Sequence, residues 1–446
     1  MAKRSVLDRL GLHRPELRAW ALYDVANSAW MTTVIQIFQI YIVVVGVAGG
    51  LTEPQARARY AFATSLAIIL TGLTAPLLGA IADYRGSKKA FLAIFLGLGA
   101  VATAAMYFIG EGQWIFALTV FVLGNICVTA TLAFYNALLP AIAAPDEVDR
   151  VSTAGFALGY LGGGMLLAFN ALMMASPERF GIVNQDTAVR LSFVSVAVWW
   201  VAFSIPLFRK VPEPPRRLEA DEKAGENPVV VASRRLVETF KELRTFKDAG
   251  LLLLAFLVYN DAINTIIRMA LTFGGEVGIA PSDMIGALVL VQFVGVPFAF
   301  GFGLLADRIG AKRAIYLALV VYTGISLLGF SLKNATQFYV MAALVGTVQG
   351  GAQALGRSLF ATMIPRHKAG EMFGFFGVFD RFGGALGGMV FGIVLTATGS
   401  SRPGILILIV FFALGAFLLS KVDVERGRRQ ARDAEAALHA PENATA

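Results

Sequence analysis

Cysteine is nearly missing from this chain: Cys127 is the only one in 446 residues, and it lies inside an apolar run. An intrachain disulfide is therefore excluded, and so is a cysteine-based metal centre. Histidine is almost as scarce, with His13, His367 and His439 alone, all outside the long apolar runs. No histidine relay can cross those runs. No G-x-x-x-x-G-K-[ST] stretch occurs, so the phosphate cradle of an ATP-driven machine is absent. No nucleophile–base pair stands out, so neither an enzyme nor a cofactor is expected. Charge is thin as well, at 15% of residues against 57% hydrophobic. Soluble domains carry about 25% charged and 45–50% apolar residues, so this composition does not make one soluble core.

What the chain has instead is long apolar sequence. About 20 mostly apolar residues cross a bilayer. Twelve segments qualify: 18–47, 60–82, 90–109, 114–140, 152–174, 190–208, 250–273, 284–306, 313–331, 337–364, 371–398 and 403–420. They predict an all-α membrane protein with twelve transmembrane helices. The stretch before them lacks the pattern of a signal peptide. The wide interruption after span 6 divides them into two sets of six. The expected domains are a six-helix bundle over 1–208, a linker over 209–248, a second six-helix bundle over 249–421, and a charged, disordered tail over 422–446. Within the linker, Val229, Leu236, Phe240 and Leu243 recur at near-helical spacing among basic residues. That pattern reads as an amphipathic helix on the membrane face, or as a solvated linker helix.

Placing the N-terminus inside puts 29 Lys and Arg on inner segments and six on outer loops. That bias orients membrane proteins. Both termini are expected in the cytoplasm, with a bacterial inner membrane as the expected location. The net charge of +8 is then topogenic, and no nucleic-acid partner is expected. The expected partners are the lipid bilayer and a small-molecule substrate, with the chain as a monomer.

Two loops repeat. GAIADYRGSKK at 79–89 and GLLADRIGAKR at 303–313 align at an offset of 224, matching Gly79 with Gly303, Asp83 with Asp307, Gly86 with Gly310, Lys88 with Lys312 and Lys89 with Arg313. Arg85 and Arg308 add charge to each loop. Two six-span halves in the same orientation would give this spacing. The paired loops resemble the signature inner loop of the major facilitator superfamily. The resemblance implies two pseudo-symmetric six-helix bundles, and loops that gate conformational change without touching substrate.

Polar residues sit where burial is costly. Span 1 contains YDVANSAW (23–30) and span 7 contains YNDAINTI (259–266), sharing D-x-x-N-[ST]. At 100° per residue, Asp24, Asn27, Ser28, Thr32 and Gln39 share an arc of about 140°, and Asp261, Asn264, Thr265 and Arg268 an arc of about 100°. Gln349, Gln353 and Arg357 form one face of span 10, and Asp380 and Arg381 sit inside span 11. A charge facing lipid costs about 2.5–3.5 kcal/mol or more, so these residues are expected to face the bundle interior, the two stripes lining a shared cavity. The three aspartates and three arginines can pair to zero net charge, forming bonds exchanged between two states. The bland readings are helix-joining hydrogen bonds for the amides and hydroxyls, surface hydration for Asp24, and snorkelling for Arg268. If a proton is coupled, Asp24, Asp261 or Asp380 must carry it.

With YNALLPAIAAPDEVDRVSTAGFALGYLGGG (135–164), QGGAQALGRSLFATMIP (349–365) and FGFFGVFDRFGGALGG (373–388), the two stripes resemble one branch of that superfamily. It is the branch of the yeast vacuolar amino-acid effluxer of autophagy and its bacterial relatives of unassigned substrate. The resemblance implies secondary active transport by alternating access, with an amino acid as the implied cargo. An exporter of drug-like or lipid-like apolar compounds, and a non-transporting membrane sensor, are the alternatives. Glycines crowd spans 5 and 11, where Gly384, Gly388 and Gly392 keep the four-residue spacing of close helix contacts. Pro76, Pro206 and Pro297 are positioned to kink or end their helices.

Overall fold

The computed structural model describes residues 5–216, 226–234, 246–382, 385–398 and 402–437. Eleven of its helices are long and apolar enough to cross a membrane. Before the linker these are α1 (Pro15–Ala48), α2 (Glu53–Arg85), α3 (Lys88–Phe108), α4 (Trp114–Ile142), α5 (Val148–Ala175) and α6 (Gln185–Lys210). After it come α7 (Lys247–Val277), α8 (Pro281–Ile309), α9 (Ala311–Phe330) and α10 (Ala335–Thr362). Next are Ala369–Phe382 and Ala385–Thr398, taken together as α11, and then α12 (Arg402–Lys421). The segment expected as span 11 is described as helical over Ala369–Phe382 and Ala385–Thr398, and residues 383 and 384 between them lie outside the described residues.

Local chemistry explains the ends. Thr52 and Gln55 form a capping box at the start of α2, and Asn184 and Asn334 cap α6 and α10 by accepting from the N–H groups of Thr187 and Gln337. Gly86 closes α2 at φ +60°, a conformation that penalises other residues. Pro76, Pro206 and Pro297 end nothing: α2, α6 and α8 run on past them. Inside α1, Trp30–Val34 widen into a π-helical turn just beyond the polar stripe.

Alternating directions bring both chain ends and the loops after α2, α4, α8 and α10 to one end of the molecule, the terminal face. Each terminus is tied to its own half there. Arg14 pairs with Glu147 and donates to the Ile142 carbonyl at 2.8 Å. The tail expected to be disordered is a helix, α13 (Val424–Ala437). It is held because Asp248, buried at the start of α7, accepts from Arg426 Nε and Nη2 at 2.5 and 2.9 Å and from the Asp423 N–H at 2.7 Å. A buried carboxylate has to be met by such donors. Residues 438–446 lie outside the described residues. So does most of the expected linker helix, of which only 228–234 is described as helical.

The glycines of α5 let α1 approach closely. A Cβ at Gly155 would stand 2.3 Å from Asp24 Oδ2, one at Gly159 would stand 2.6 Å from Ser28 Oγ, and one at Gly162 would stand 2.4 Å from Val25 Cγ1. Of the 384/388/392 row expected in α11, only Gly388 has described surroundings. Gly388 has no described atom within 4 Å, while a Cβ at Gly387 would stand 2.5 Å from Asp261 Oδ2. Gly384 lies outside the described residues.

Candidate functional site

The two halves meet in a seam toward the terminal face. Its centre is an ion pair between Asp24 of α1 and Arg357 of α10, at 3.2 Å, with both side chains more than nine-tenths buried. By a rise of 1.5 Å per residue, Asp24 lies about 13 Å into α1 and Arg357 about 8 Å from the end of α10. Around Asp24, the Tyr135 hydroxyl donates to Oδ2 at 2.9 Å and the Asn27 amide to Oδ1 at 3.3 Å. Arg357 donates to Ser152 Oγ at 2.9 Å, to the Ser152 carbonyl at 2.8 Å and to Asn136 Oδ1 at 3.3 Å. Its guanidinium lies over the rings of Phe156 and Trp20 at 4.6 and 4.8 Å. Planar, weakly hydrated arginine suits such a dry, stacked position better than lysine.

Further bonds extend the seam. Ser358 Oγ donates to Asp149 Oδ1 at 2.5 Å, and Ser152 Oγ to the Ala354 carbonyl at 2.8 Å. The repeated loops join it, each in its own way. Asp83 holds Lys88 at 2.7 Å and accepts from the Glu371 N–H across the halves at 2.9 Å. Asp307 instead holds Arg150 across the halves at 2.9 Å. A Cβ at Gly79 would stand 2.2 Å from the Gly370 carbonyl oxygen, and one at Gly303 2.2 Å from Thr153 Oγ1.

The two cations after each turn also differ from the sequence register. Lys89 donates to the Phe208 and Val211 carbonyls at 3.0 and 2.6 Å, closing the end of α6. Its structural counterpart is Lys312, which donates to the Ser420 and Val422 carbonyls at the end of α12, so the offset there is one residue shorter than in the sequence match. The Lys89 N–H also meets Glu213 at 2.9 Å; burial pushes that carboxyl up, and this bond opposes the rise. Arg85, Arg308 and Arg313 are exposed at the same face, where Gly86 and Gly310 turn with positive φ.

Because the Gly79 contact is backbone to backbone, Gly79→Val is expected to wedge the seam open. With Cys127→Ala as background, a cysteine replacing buried Thr153 is expected to react at least about tenfold faster with a thiol reagent from the terminal face. An unchanged rate would count against the seam as a moving contact.

The second stripe is arranged differently. Asp261 is fully buried about 21 Å into α7. It accepts from the N–H groups of Leu386 and Gly387 at 3.2 and 2.5 Å, reaching the backbone of α11 from a neighbouring helix. Thr265 packs against the same Gly387. Asn260 accepts from the Gln353 amide at 3.0 Å and donates to Asp380 Oδ1 at 2.9 Å, making a polar string across α10, α7 and α11. Gln349 and Asn264 are half-buried, and Arg268 is exposed. The side chain of Arg381 lies outside the described residues.

The expected shared cavity lining is thus divided. Asp24, Asn27 and Arg357 are locked in the seam, and Ser28 is half-buried against α5. Asp261 is bonded to the backbone of α11 with Thr265 packed beside it, while Gln353 and Asp380 join the string. Sequence reasoning passed over Ser152, Tyr135, Asn136, Asn260, Asp149 and Ser358. All six lie within the motifs given above, but a polar residue beside an apolar run carries no signal of its partner. Among the described residues, no group of His, Cys, Asp and Glu could hold a metal ion.

Comparison with known proteins agrees with this architecture. A family described as "Vacuole effluxer Atg22 like" matches residues 41–149 and 145–432. An uncharacterized MFS-type transporter of Bacillus subtilis, YxiO, is 31% identical over 410 residues, covering 91% of this chain and 94% of its own. Autophagy-related protein 22 of Saccharomyces cerevisiae (strain S288c) is 24% identical, over 83% of this chain and 78% of its own. Among solved structures, the proton:xylose symporter XylE superposes with TM-score 0.70 at 14% identity, over 96% of this chain and 98% of its own. The Escherichia coli fucose:proton symporter FucP gives 0.68 at 14% identity, over 92% and 98%. At that identity the likeness is one of fold.

Proposed function

The chain belongs to the vacuole effluxer Atg22-like family of major facilitator transporters, and on that premise we propose that it moves a small polar or amphipathic metabolite, such as an amino acid, by secondary active transport with alternating access. It is a multi-pass membrane transporter and not an enzyme. The observation that carries the reading is the buried Asp24–Arg357 pair, because its two charges belong to different halves. A buried pair is costly to split when only one partner is lost, and tolerable to exchange when each finds a new partner or a proton. In this reading the seam is the closed gate of one state. Opening it frees Asp24 to take a proton or an ammonium group, and Arg357 to take a carboxylate. The loops at Asp83 and Asp307 hold that state until both halves rock.

The same reading places the terminal face in the cytoplasm of a bacterial inner membrane, with the monomer as the working unit and efflux as the direction, as the effluxer name of the family suggests. Asp261 and Asp380 belong to the opposite half of the site, where Asp261 meets the Leu386 and Gly387 N–H groups of α11 and Asp380 accepts from Asn260 of α7. The test is counterflow of labelled amino acids in proteoliposomes containing the full chain, with and without an imposed pH gradient. Saturable counterflow accelerated by the gradient is expected. If folded protein moves no amino acid, the cargo is wrong, and the apolar exporter takes first place.

A further inference from the structure

Of the cations placed inside apolar spans, Arg357 is fully engaged, but Arg268 is not. It lies on α7 near the end of the apolar stretch Lys247–Ala270, is exposed, and among the described residues makes neither an ion pair nor a hydrogen bond. An arginine so placed is stable only where water reaches it or where it can reach the surface. Three observations place it on a protein-facing arc close to the other half and away from the closed seam. Arg268 shares its helix arc with Asp261, Asn264 and Thr265, and the first and last of these face α11 at Gly387. The Tyr60 side chain of α2, from the other half, lies within electrostatic reach of Arg268. And the seam bonds described above gather toward the terminal face, while Arg268 lies about 31 Å along α7 from that end.

Resting on the transport reading above, we propose that Arg268, with half-buried Asn264 one turn below it, is the docking point for the carboxylate of the solute when the seam is closed. A planar guanidinium with unused donors matches a carboxylate in two parallel bonds, and a neighbouring amide N–H extends the match. Arg357 cannot serve in this state, because Asp24, Ser152 and Asn136 occupy its donors. The two arginines therefore act in turn: Arg268 receives the anionic end on the side opposite the termini, and Arg357 becomes available only once the seam opens. The inferred cargo carries a carboxylate, and its amide derivative is a poor substitute.

Two measurements test this. In the Cys127→Ala background, Asn264→Cys is labelled in the full chain with an anionic and a cationic methanethiosulfonate of similar size. With Arg268 present the anionic reagent is expected to gain at least about fivefold relative to the cationic one, and Arg268→Gln is expected to abolish that gain. A ratio indifferent to Arg268→Gln, or a cysteine that reacts with neither reagent, overturns the proposal. In proteoliposomes, Arg268→Gln is expected to raise KM for a transported amino acid at least about tenfold, leave KM for its amide unchanged, and be partly rescued by Arg268→Lys. Equal changes for acid and amide would assign Arg268 to packing. If the wild type moves no amino acid, the cargo reading fails, while the labelling ratio still decides whether Arg268 gathers anions.

Discussion

Arg357→Met is expected to reduce counterflow by about a hundredfold or more and to expose the cysteine of Thr153→Cys from the terminal face. The reason is what remains behind. Asp24, 6% exposed, would keep only the Tyr135 hydroxyl and the Asn27 amide. Leaving one charge of a buried pair uncompensated costs about 3–5 kcal/mol, and each 1.4 kcal/mol is tenfold in an equilibrium. Asp24→Asn alone leaves the opposite charge stranded and is expected to fail comparably. The double variant Asp24→Asn with Arg357→Met strands neither, so its seam is expected to close better than in either single variant. Strictly additive losses across this cycle would mean that the two side chains do not act as a pair.

Asp261→Ala is expected to lower stability in detergent by about 2–4 kcal/mol, because two amide donors at the start of Ala385–Thr398 lose a charged acceptor. Asp261→Asn, which keeps one acceptor oxygen at the same place, is expected to recover much of that loss. Thermal unfolding of purified protein, followed beside counterflow, separates this helix-holding role from proton carriage. A carrier would leave the Asn variant folded but blind to the pH gradient. A helix holder would leave its gradient response intact, with stability as the quantity that falls from Asp to Asn to Ala.

Much of the architecture was legible before any coordinates, because apolar runs long enough to span lipid have few other uses. The run at 114–140 became Trp114–Ile142 and that at 190–208 became Gln185–Lys210. The repeat was legible as well, since both loops kept their aspartates and turn glycines. The hold of Asp261 on α11 was not, because the N–H groups it meets, at Leu386 and Gly387, lie 125 and 126 positions away in the chain. Nor was the pairing of charges. Asp24 and Arg357 are separated by 333 positions, and nothing local distinguishes Arg357 from Arg268 as the partner. Polarity on a helical arc announces that a face avoids lipid; whether it meets another helix or water depends on where the halves touch. The tail was misread for a related reason. A strongly charged segment looks solvated until one buried carboxylate, Asp248, gives its arginine a place to bind.

That tail, and the hook at the other end of the chain, turn the termini into a ruler. Arg14 fastens the first helix to the loop between α4 and α5, and Arg426 fastens the last to the start of α7. A dye attached just before residue 14 and another attached on α13 would therefore ride on opposite halves with little slack. Their energy transfer would follow each closing and opening of the seam in a single molecule, without a probe placed inside the membrane.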